Sequence, residues 1–251
     1  MDTALYQLAV RVEKALNQRE IALGVFLDIE GAFNSTSYDS MCAALARHGV
    51  DHTIIRWIRA TLEERQATAI CRDTSVSIMV SKVCPQGGVL SPLLWCLVID
   101  ELLARLCGGG VYAQGYADDI CLLAVGKFPN RLSRLTQWGL HTVEAWCTGH
   151  GLPINPDKTG LVDFARKRKL PGFFEPKLFG RTLQCSTSVK YLGVIMDSRL
   201  TWSQHVDAKV RKDQNLIWAC RRACGGAWGL APRVAVGSTS LSLGLLSPSR
   251  P

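Results

Sequence analysis

The sequence lacks the features that would mark an exported or membrane-spanning protein. Its ten cysteines form no C-x-x-C pair, and no basic N-terminal segment leads into an apolar run, so we expect reduced thiols and no secretory signal. The longest uncharged apolar-rich stretch, 83–99, is interrupted by Pro85, Gln86 and Pro92 and predicts no membrane span. There is no internal repeat and no Walker-type phosphate loop. These absences predict an intracellular globular protein without a membrane partner.

Acidic residues are scarce in the second part of the chain. Residues 160–251 carry 15 Lys and Arg against 5 Asp and Glu, whereas residues 1–159 carry 14 against 16. A basic second part suggests a polyanion as partner, and an acidic first part could keep its carboxylates for metal. A solvated basic face explains the asymmetry equally well. The apolar content of 47% excludes disorder for most of the 251 residues.

Hydrophobic periodicity and turn residues predict a mixed succession of helices and strands. Helices are predicted over 5–16, 39–48, 53–65, 91–108, 132–150 and 202–224, and strands over 21–28, 67–72, 76–82, 111–116, 120–125, 161–164, 178–183 and 190–196. Hairpins and packed helices in this order favour the α+β class. Residues 235–251 are mostly Ser, Gly, Leu and Pro, and we expect them to be poorly ordered.

Three carboxylates stand at the ends of apolar strands. Asp28 closes the first strand, and Asp118 with Asp119 forms the tip of a later hairpin. If the two strand pairs lie side by side, the three side chains meet and need cations to remain ionised. Ligands that are all oxygen favour Mg²⁺ or Mn²⁺, and two such ions would suit phosphoryl displacement. Taken singly, each feature is also typical of a polar turn or a strand end.

Five motifs stand in a recognisable order. They are FLDIEGAFN (26–34), CPQGGVLSP (84–92), GYADDI (115–120), GLPINPDKT (151–159) and KYLGV (190–194). They resemble the motifs of the reverse transcriptase palm, most closely those of non-LTR retrotransposons of the jockey kind. The resemblance runs from about residue 3 to residue 232 and implies an antiparallel sheet packed on helices, followed by a partial helical thumb. The implied domains are a palm without its fingers at 1–197, a partial thumb at 198–234 and an aberrant tail at 235–251.

The resemblance assigns the catalytic groups. Asp28 and Asp118 would bind two Mg²⁺ ions, with Mn²⁺ as a possible substitute, and Asp119 would be the supporting carboxylate. Lys158 would protonate the pyrophosphate leaving group. A surface cation after a turn is an equally good interpretation of Lys158.

The resemblance also assigns nucleotide contacts. Phe33 matches a steric gate that excludes a 2′-hydroxyl, although it is also consistent with an ordinary core aromatic. Gln86 and Gly87 match the loop that contacts the incoming nucleotide and the template. The same residues also suit a plain turn before a helix.

Primer and template contacts fall in the later part of the chain. The residues implied are Tyr116, Tyr191, Leu192, Gly193, Arg211, Lys212, Arg221 and Arg222. The basic run 166–169 is consistent with phosphate contact, a solvated loop or a nuclear import signal. We therefore expect the protein in the nucleus, the cytoplasm or both.

The function implied is RNA-directed DNA synthesis with an RNA template, a DNA primer and deoxynucleoside triphosphates. The alternative is a catalytically inactive nucleic-acid-binding remnant, since Asn34 replaces the usual aspartate and no fingers region precedes Asp28. These departures predict weak or absent extension by the 251 residues alone. RNA-directed RNA synthesis is disfavoured by Phe33 and by the PQG form of the second motif.

Overall fold

The computed structural model describes residues 2–63, 66–71, 74–79, 88–166 and 172–223. These residues belong to two compact units that divide between Leu200 and Thr201. In chain order the elements are α1 (Asp2–Asn17), β1 (Ile21–Asp28), α2 (Ala32–Ser35), α3 (Tyr38–Arg47), α4 (His52–Glu63), β2 (Gln66–Cys71), β3 (Thr74–Met79), α5 (Ser91–Gly108), β4 (Tyr112–Tyr116), β5 (Asp119–Gly126), α6 (Pro129–His150), β6 (Gly160–Phe164), β7 (Lys177–Leu178), β8 (Arg181–Thr182), β9 (Cys185–Ser186), β10 (Ser188–Tyr191), β11 (Val194–Asp197) and α7 (Ser203–Ala223).

A five-stranded sheet in the first unit has β1 at its centre. Its strand order is β4-β5-β1-β6-β9, and every pair is antiparallel except β6 with β9. Residues 22–27 of β1 are all buried, as expected for a short apolar run that is covered on both faces. The predicted α+β class, with a mainly antiparallel sheet packed on helices, is confirmed.

The two faces of the sheet pack against different elements. Leu23, Val25 and Leu27 of β1 belong to the main core cluster, to which α3, α4, α5 and α6 contribute. Because side chains alternate along a strand, Phe26 and Asp28 point to the opposite face. Phe26 there contacts the ring of Tyr191 on β10. The buried side of α1 also packs against β1.

Most predicted elements are present, and β1 has the predicted bounds. Helix α4 follows Asp51, whose Oδ1 accepts a hydrogen bond from the backbone N–H of Thr53 at 2.8 Å, as a capping residue would. Helix α6 begins three residues earlier than predicted, because Pro129 suits the first turn of a helix. The short helix α2 and the short strand β9 were not predicted.

Two single-strand predictions were wrong, because each segment is a hairpin. Segment 178–183 contains the end of β7 and all of β8, and the chain reverses at Phe179 and Gly180, whose φ angles are 47° and 76°. Segment 190–196 contains parts of β10 and β11, and it reverses at Leu192 and Gly193, with φ of 47° and 78°. Two consecutive left-handed residues are the geometry of a tight hairpin turn, and in both cases the first is an ordinary apolar residue that gave no turn signal.

The predicted hairpin around 73–75 is formed by β2 and β3, but Thr74 and Ser75 belong to the second strand and not to the turn. Residues 80–82 and 235–251, for which a strand end and a poorly ordered tail were predicted, lie outside the described residues. Among the helices that the structure describes, none has the length and apolar character needed to cross a bilayer.

Candidate active site

The sheet brings the three predicted carboxylates to one end of neighbouring strands. Asp28, the last residue of β1, is the cross-strand partner of Asp119, the first residue of β5. The backbone carbonyl of Asp118 accepts a hydrogen bond of 3.1 Å from the N–H of Ile29. Asp28 and Asp119 are half-buried and Asp118 is exposed. Residues far apart in the sequence therefore meet through the antiparallel register of one strand pair.

The three carboxylates interact electrostatically. Burial raises the pKa of Asp119, and the negative charges of Asp118 and then Asp28 raise it further. Neighbouring carboxylates resist ionisation because their negative charges repel one another. A hard divalent cation, which prefers oxygen ligands, would relieve this repulsion. Across the described ranges no three His, Cys, Asp or Glu side chains are arranged as a closed metal site. Asp28, Asp118 and Asp119 are neighbours through strand register and charge.

A buried tryptophan holds the turn between β4 and β5. Ala117 begins this two-residue turn with φ of 53°, a left-handed conformation that glycine adopts more readily. The indole N–H of Trp95 on α5 donates a hydrogen bond of 2.5 Å to the carbonyl of Ala117. Trp95 is only 3% exposed. Sequence reasoning missed Trp95, although a tryptophan on the apolar side of a helix needs a partner for its N–H.

Lys158 reaches the same end of β1. Its Nζ donates to Oε1 of Glu30 at 2.7 Å, and Nδ2 of Asn155 lies 3.5 Å from that oxygen. The hydrogen bond to Glu30 raises the pKa of Lys158, and the charges of Glu30 and Asp28 add to the effect. Lys158 in turn lowers the pKa of Glu30. The pair keeps an ammonium group protonated beside the carboxylates, and Glu30 was not anticipated from the sequence.

Two of the predicted nucleotide-contact residues, Gln86 and Gly87, lie outside the described residues. The third, Phe33, is half-buried at the start of α2, with its ring centre 6.0 Å from that of Trp95. It packs against the main core cluster. Phe33 therefore stands beside the tryptophan that holds the carboxylate turn.

The predicted primer residues fall into an exposed and a buried group. Tyr116, at the end of β4, is the cross-strand partner of Asp119 and is 41% exposed. Tyr191 is only 2% exposed, and burial raises the pKa of its hydroxyl. Leu192 and Gly193 form the turn of the β10–β11 hairpin. The carboxylate end and this hairpin lie on the same face of the sheet, because Tyr191 packs on Phe26, which shares its face with Asp28.

Comparison with known proteins identifies the family. Residues 3–196 match the family described as reverse transcriptase (RNA-dependent DNA polymerase). The chain belongs to the reverse transcriptase family. Members of this family generally use divalent metal ions and act on nucleic acids.

Relatives of this reverse transcriptase domain occur in insect retrotransposons. It is 28% identical over 237 residues to a probable RNA-directed DNA polymerase from transposon BS of Drosophila melanogaster, covering 87% of this chain and 25% of that protein. It is 28% identical over 239 residues to the polymerase of the mobile element jockey from the same organism, covering 92% and 24%. The chain thus spans about a quarter of the length of these curated relatives. The predicted kinship with jockey-like elements is confirmed.

Solved structures show the same fold. Apo telomerase from Candida tropicalis, truncated from its C-terminal domain, superposes with a TM-score of 0.58 at 11% identity, covering 81% of this chain and 39% of that one. Telomerase from the same organism in complex with a fragment of telomeric RNA gives 0.57 at 10% identity, covering 80% and 32%. At these identities the comparison supports the fold of a reverse transcriptase palm and no more.

The basic residues predicted to contact nucleic acid lie on α7, in the second unit. Their side chains are exposed: Arg211, Lys212, Arg221 and Arg222. The guanidinium of Arg221 lies 5.6 Å from the ring centre of Trp218, which is itself 60% exposed. Exposed cations beside an exposed indole are chemically suited to phosphates and bases.

We expect Asp119→Asn to raise the melting temperature of this reverse transcriptase domain in the absence of divalent ions. Removing one of two like charges on directly paired strand residues is worth about 0.5 kcal/mol, or about 1–2 °C for a domain of this size. Because the pKa of Asp119 is raised in the folded state, ionisation costs folding stability as the pH rises. The melting temperature of the variant should therefore exceed that of the wild type only above about pH 4.

Adding Mg²⁺ should close this difference, because a cation relieves the repulsion in the wild type. The matched control is Asp157→Asn, since Asp157 forms an ion pair of 2.5 Å with Arg181 and its loss should not stabilise. A melting temperature for Asp119→Asn that is below that of the wild type at neutral pH would contradict the electrostatic interpretation.

Ala117→Gly is expected to stabilise the domain. A left-handed alanine costs about 1–2 kcal/mol, and the extra chain entropy of glycine offsets about half of that. We therefore expect a melting temperature that is about 2 °C higher. Ala113→Gly on the preceding strand is the control and should lower it, because Ala113 is buried and has no positive φ. Equal losses in both variants would show that the turn stores no strain.

Proposed function

We propose that the chain catalyses RNA-directed DNA synthesis, with an RNA template, a DNA primer and deoxynucleoside triphosphates as substrates. The observation that carries the proposal is the pairing of Asp28 with Asp119 at the carboxylate end of the sheet, next to Asp118. The raised pKa of Asp119 supports it, because the negative charges at this end of the sheet repel one another and a bound cation would neutralise them.

In this proposal Asp28 and Asp118 hold two Mg²⁺ ions, which Mn²⁺ could replace, and Asp119 supports them. When bound, the ions supply positive charge for the attacking and leaving oxygens of an in-line displacement. The donor set is suitable because all its ligand atoms are carboxylate oxygens. Trp95 orients the Asp118 side of the site by fixing the carbonyl of Ala117.

The primer 3′-hydroxyl loses its proton to water as its oxygen forms a bond to the α-phosphorus of the nucleotide, and the bond from that phosphorus to the pyrophosphate oxygen breaks. Lys158 donates a proton to the departing pyrophosphate. Its ion pair with Glu30 supports this role by position, since it holds the ammonium group at the end of β1.

The other proposed contacts set selectivity and position. Phe33 excludes a 2′-hydroxyl, and Gln86 and Gly87 contact the nucleotide and the template. Primer and template contacts come from Tyr116 and from the Leu192–Gly193 turn that follows Tyr191. Arg211, Lys212, Arg221 and Arg222 add phosphate contacts from a partial thumb at 198–234, and the palm comprises residues 1–197.

Single-turnover primer extension, with the chain in excess over an RNA-templated DNA primer and Mg²⁺ present, tests this function. We expect the wild type to add deoxynucleotides, though weakly, and an Asp118→Ala, Asp119→Ala double variant to add none, while both bind RNA. Salt-sensitive RNA binding by the wild type without extension would contradict the proposal and support an inactive nucleic-acid-binding remnant.

A further inference from the structure

A cross-strand row lies two residues behind the carboxylates. On the four main strands it consists of Gln114, Cys121, Phe26 and Gly160. Because side chains alternate along a strand, this row shares its face of the sheet with Asp28 and Asp119, about 7 Å away. Elements that pack on this row are therefore positioned next to the carboxylates.

The β10–β11 hairpin rests on this row at two points. The ring of Tyr191 lies 5.2 Å from that of Phe26. At the other point, a Cβ atom added to Gly160 would lie 2.7 Å from Cγ2 of Val189, closer than such atoms approach. The absence of a side chain at Gly160 is thus what lets the hairpin reach the sheet.

Gln114 supplies the polar part of this support. Its Oε1 accepts a hydrogen bond of 2.8 Å from the hydroxyl of Tyr112. Its Nε2 donates to the hydroxyl oxygen of Tyr191 at 3.0 Å and to the carbonyl of Ala4 on α1 at 3.1 Å. One amide thus uses both of its N–H groups and its oxygen to join β4, β10 and α1. Glutamate would turn an acceptor toward the carbonyl of Ala4, and methionine would make none of these bonds.

We propose that Gln114 is a positioning residue for the primer strand. It fixes Tyr191, and through it the Leu192–Gly193 turn, relative to the carboxylate end of the same sheet face. The role of this turn in holding a primer rests on the proposed function. The new element is that β4, the strand leading into the Asp118–Asp119 turn, sets the position of the hairpin through one amide.

Binding measurements test this without catalysis. We expect Gln114→Met to weaken binding of a fluorescent DNA primer annealed to an RNA template by about 5- to 10-fold, the effect of one or two lost hydrogen bonds. Binding of the single-stranded template alone should not change. Tyr191→Phe, which keeps the ring on Phe26, should give a similar loss, and the double variant should lose little more than either single variant.

The matched control is Gln137→Met. Gln137 lies on α6, away from the β10–β11 hairpin. Its side-chain amide also makes two hydrogen bonds, both to the backbone of Lys177. Primer–template affinity of Gln114→Met equal to that of Gln137→Met, or additive effects of Gln114→Met and Tyr191→Phe, would overturn the proposal. If Gln114→Met does not fold, wild-type affinity in Tyr191→Phe overturns it alone. If the wild type fails to extend a primer, the polymerase proposal is contradicted, and the binding affinities of the variants can still be compared.

A second, independent feature is a basic groove at the opposite end of the sheet. It has a volume of ≈ 250 Å³ and is lined by Arg19, Glu20, Ile21, Lys127, Ala165 and Arg166. The ends of β5, β1 and β6 lie side by side here, since Ile21 pairs with Gly126 and Ala22 pairs with Phe164. Three cations and one carboxylate therefore face one cavity at the end of β1 remote from Asp28.

Arg19 is held in this groove at a conformational cost. Its φ is 57°, a left-handed conformation at the end of α1, where glycine is the favoured residue. The guanidinium of Arg166 is also fixed, by a hydrogen bond of 3.2 Å from its Nη2 to Oδ1 of Asn17. Because glycine would avoid this strain, an arginine at the position indicates that its side chain has a function.

We propose that this groove binds phosphates of an RNA strand away from the carboxylate end of the sheet. RNA is the partner that the charges favour, because Arg166 opens the basic run 166–169 and the family acts on nucleic acids. The proposal requires RNA binding and does not require polymerase activity.

Arg19→Gly separates binding from folding, because it should raise the melting temperature and weaken RNA binding together. We expect Arg19→Gly, Lys127→Ala and Arg166→Ala each to reduce the slope of log Kd against log salt for a short single-stranded RNA by about 0.7. Arg134→Ala, an exposed cation on α6, is the control. Slopes for all three variants equal to that of the control would overturn the proposal, whatever the primer-extension result.

Discussion

Asp28→Asn is expected to abolish Mg²⁺-dependent primer extension while leaving the fold and RNA binding intact. Asparagine has nearly the same shape but lacks the negative charge that would hold cations beside Asp118. The loss of several kcal/mol of charge stabilisation in the transition state corresponds to about a 1,000-fold decrease in the single-turnover rate. The measurement is single-nucleotide incorporation on an RNA template, with circular dichroism and RNA binding measured on the same sample.

The control for this variant is Asp163→Asn. Asp163 is a half-buried aspartate of β6 and pairs with Leu23, five positions back along the same central strand. It should retain the wild-type rate. If Asp28→Asn retains more than about a tenth of that rate, a difference of less than 1.4 kcal/mol, then Asp28 is not a ligand of the reactive centre.

Phe33→Val is expected to admit ribonucleotides. The ring of Phe33 is half-buried beside Trp95, close to the carboxylate turn, and a smaller side chain would open space for a 2′-hydroxyl. We expect the preference for deoxynucleotides over ribonucleotides to fall by about 100-fold, within the range that one steric contact gives. The measurement is the ratio of single-turnover incorporation rates for the two nucleotides.

Phe173→Val provides the matched comparison, because Phe173 is also a partly buried phenylalanine packed against the main core. Both variants should lose stability, and only Phe33→Val should lose sugar selectivity. Unchanged selectivity with a lowered melting temperature would make Phe33 a core aromatic and no more.

The parts of the site that could be predicted from the sequence are those written in local patterns. The apolar run of β1 ends at Asp28, and two apolar runs flank the Asp118–Asp119 turn, so strand and turn chemistry already placed carboxylates at strand ends. Their meeting required only that β1 pair with β5 of the later hairpin without a shift in register, which the structure shows between Asp28 and Asp119.

The parts that could not be predicted depend on long-range side-chain partners. Trp95 and Gln114 look like ordinary helix and strand residues, and only the fold reveals their hydrogen bonds to Ala117 and Tyr191. Glu30 likewise forms its ion pair with Lys158, a residue 128 positions later in the chain. The hairpin turns at Phe179 and Leu192 were missed because apolar residues adopt a left-handed φ there.

The most direct test of the central claim is protein cleavage by hydroxyl radicals that Fe²⁺ generates from peroxide when it replaces Mg²⁺. If the ends of β1 and β5 share cations, the chain should be cut beside both Asp28 and Asp118 in the same reaction. Excess Mg²⁺ should suppress both cuts, and Asp28→Asn should remove both. Cleavage beside only one of the two, or cuts that persist with excess Mg²⁺, would contradict a shared metal site.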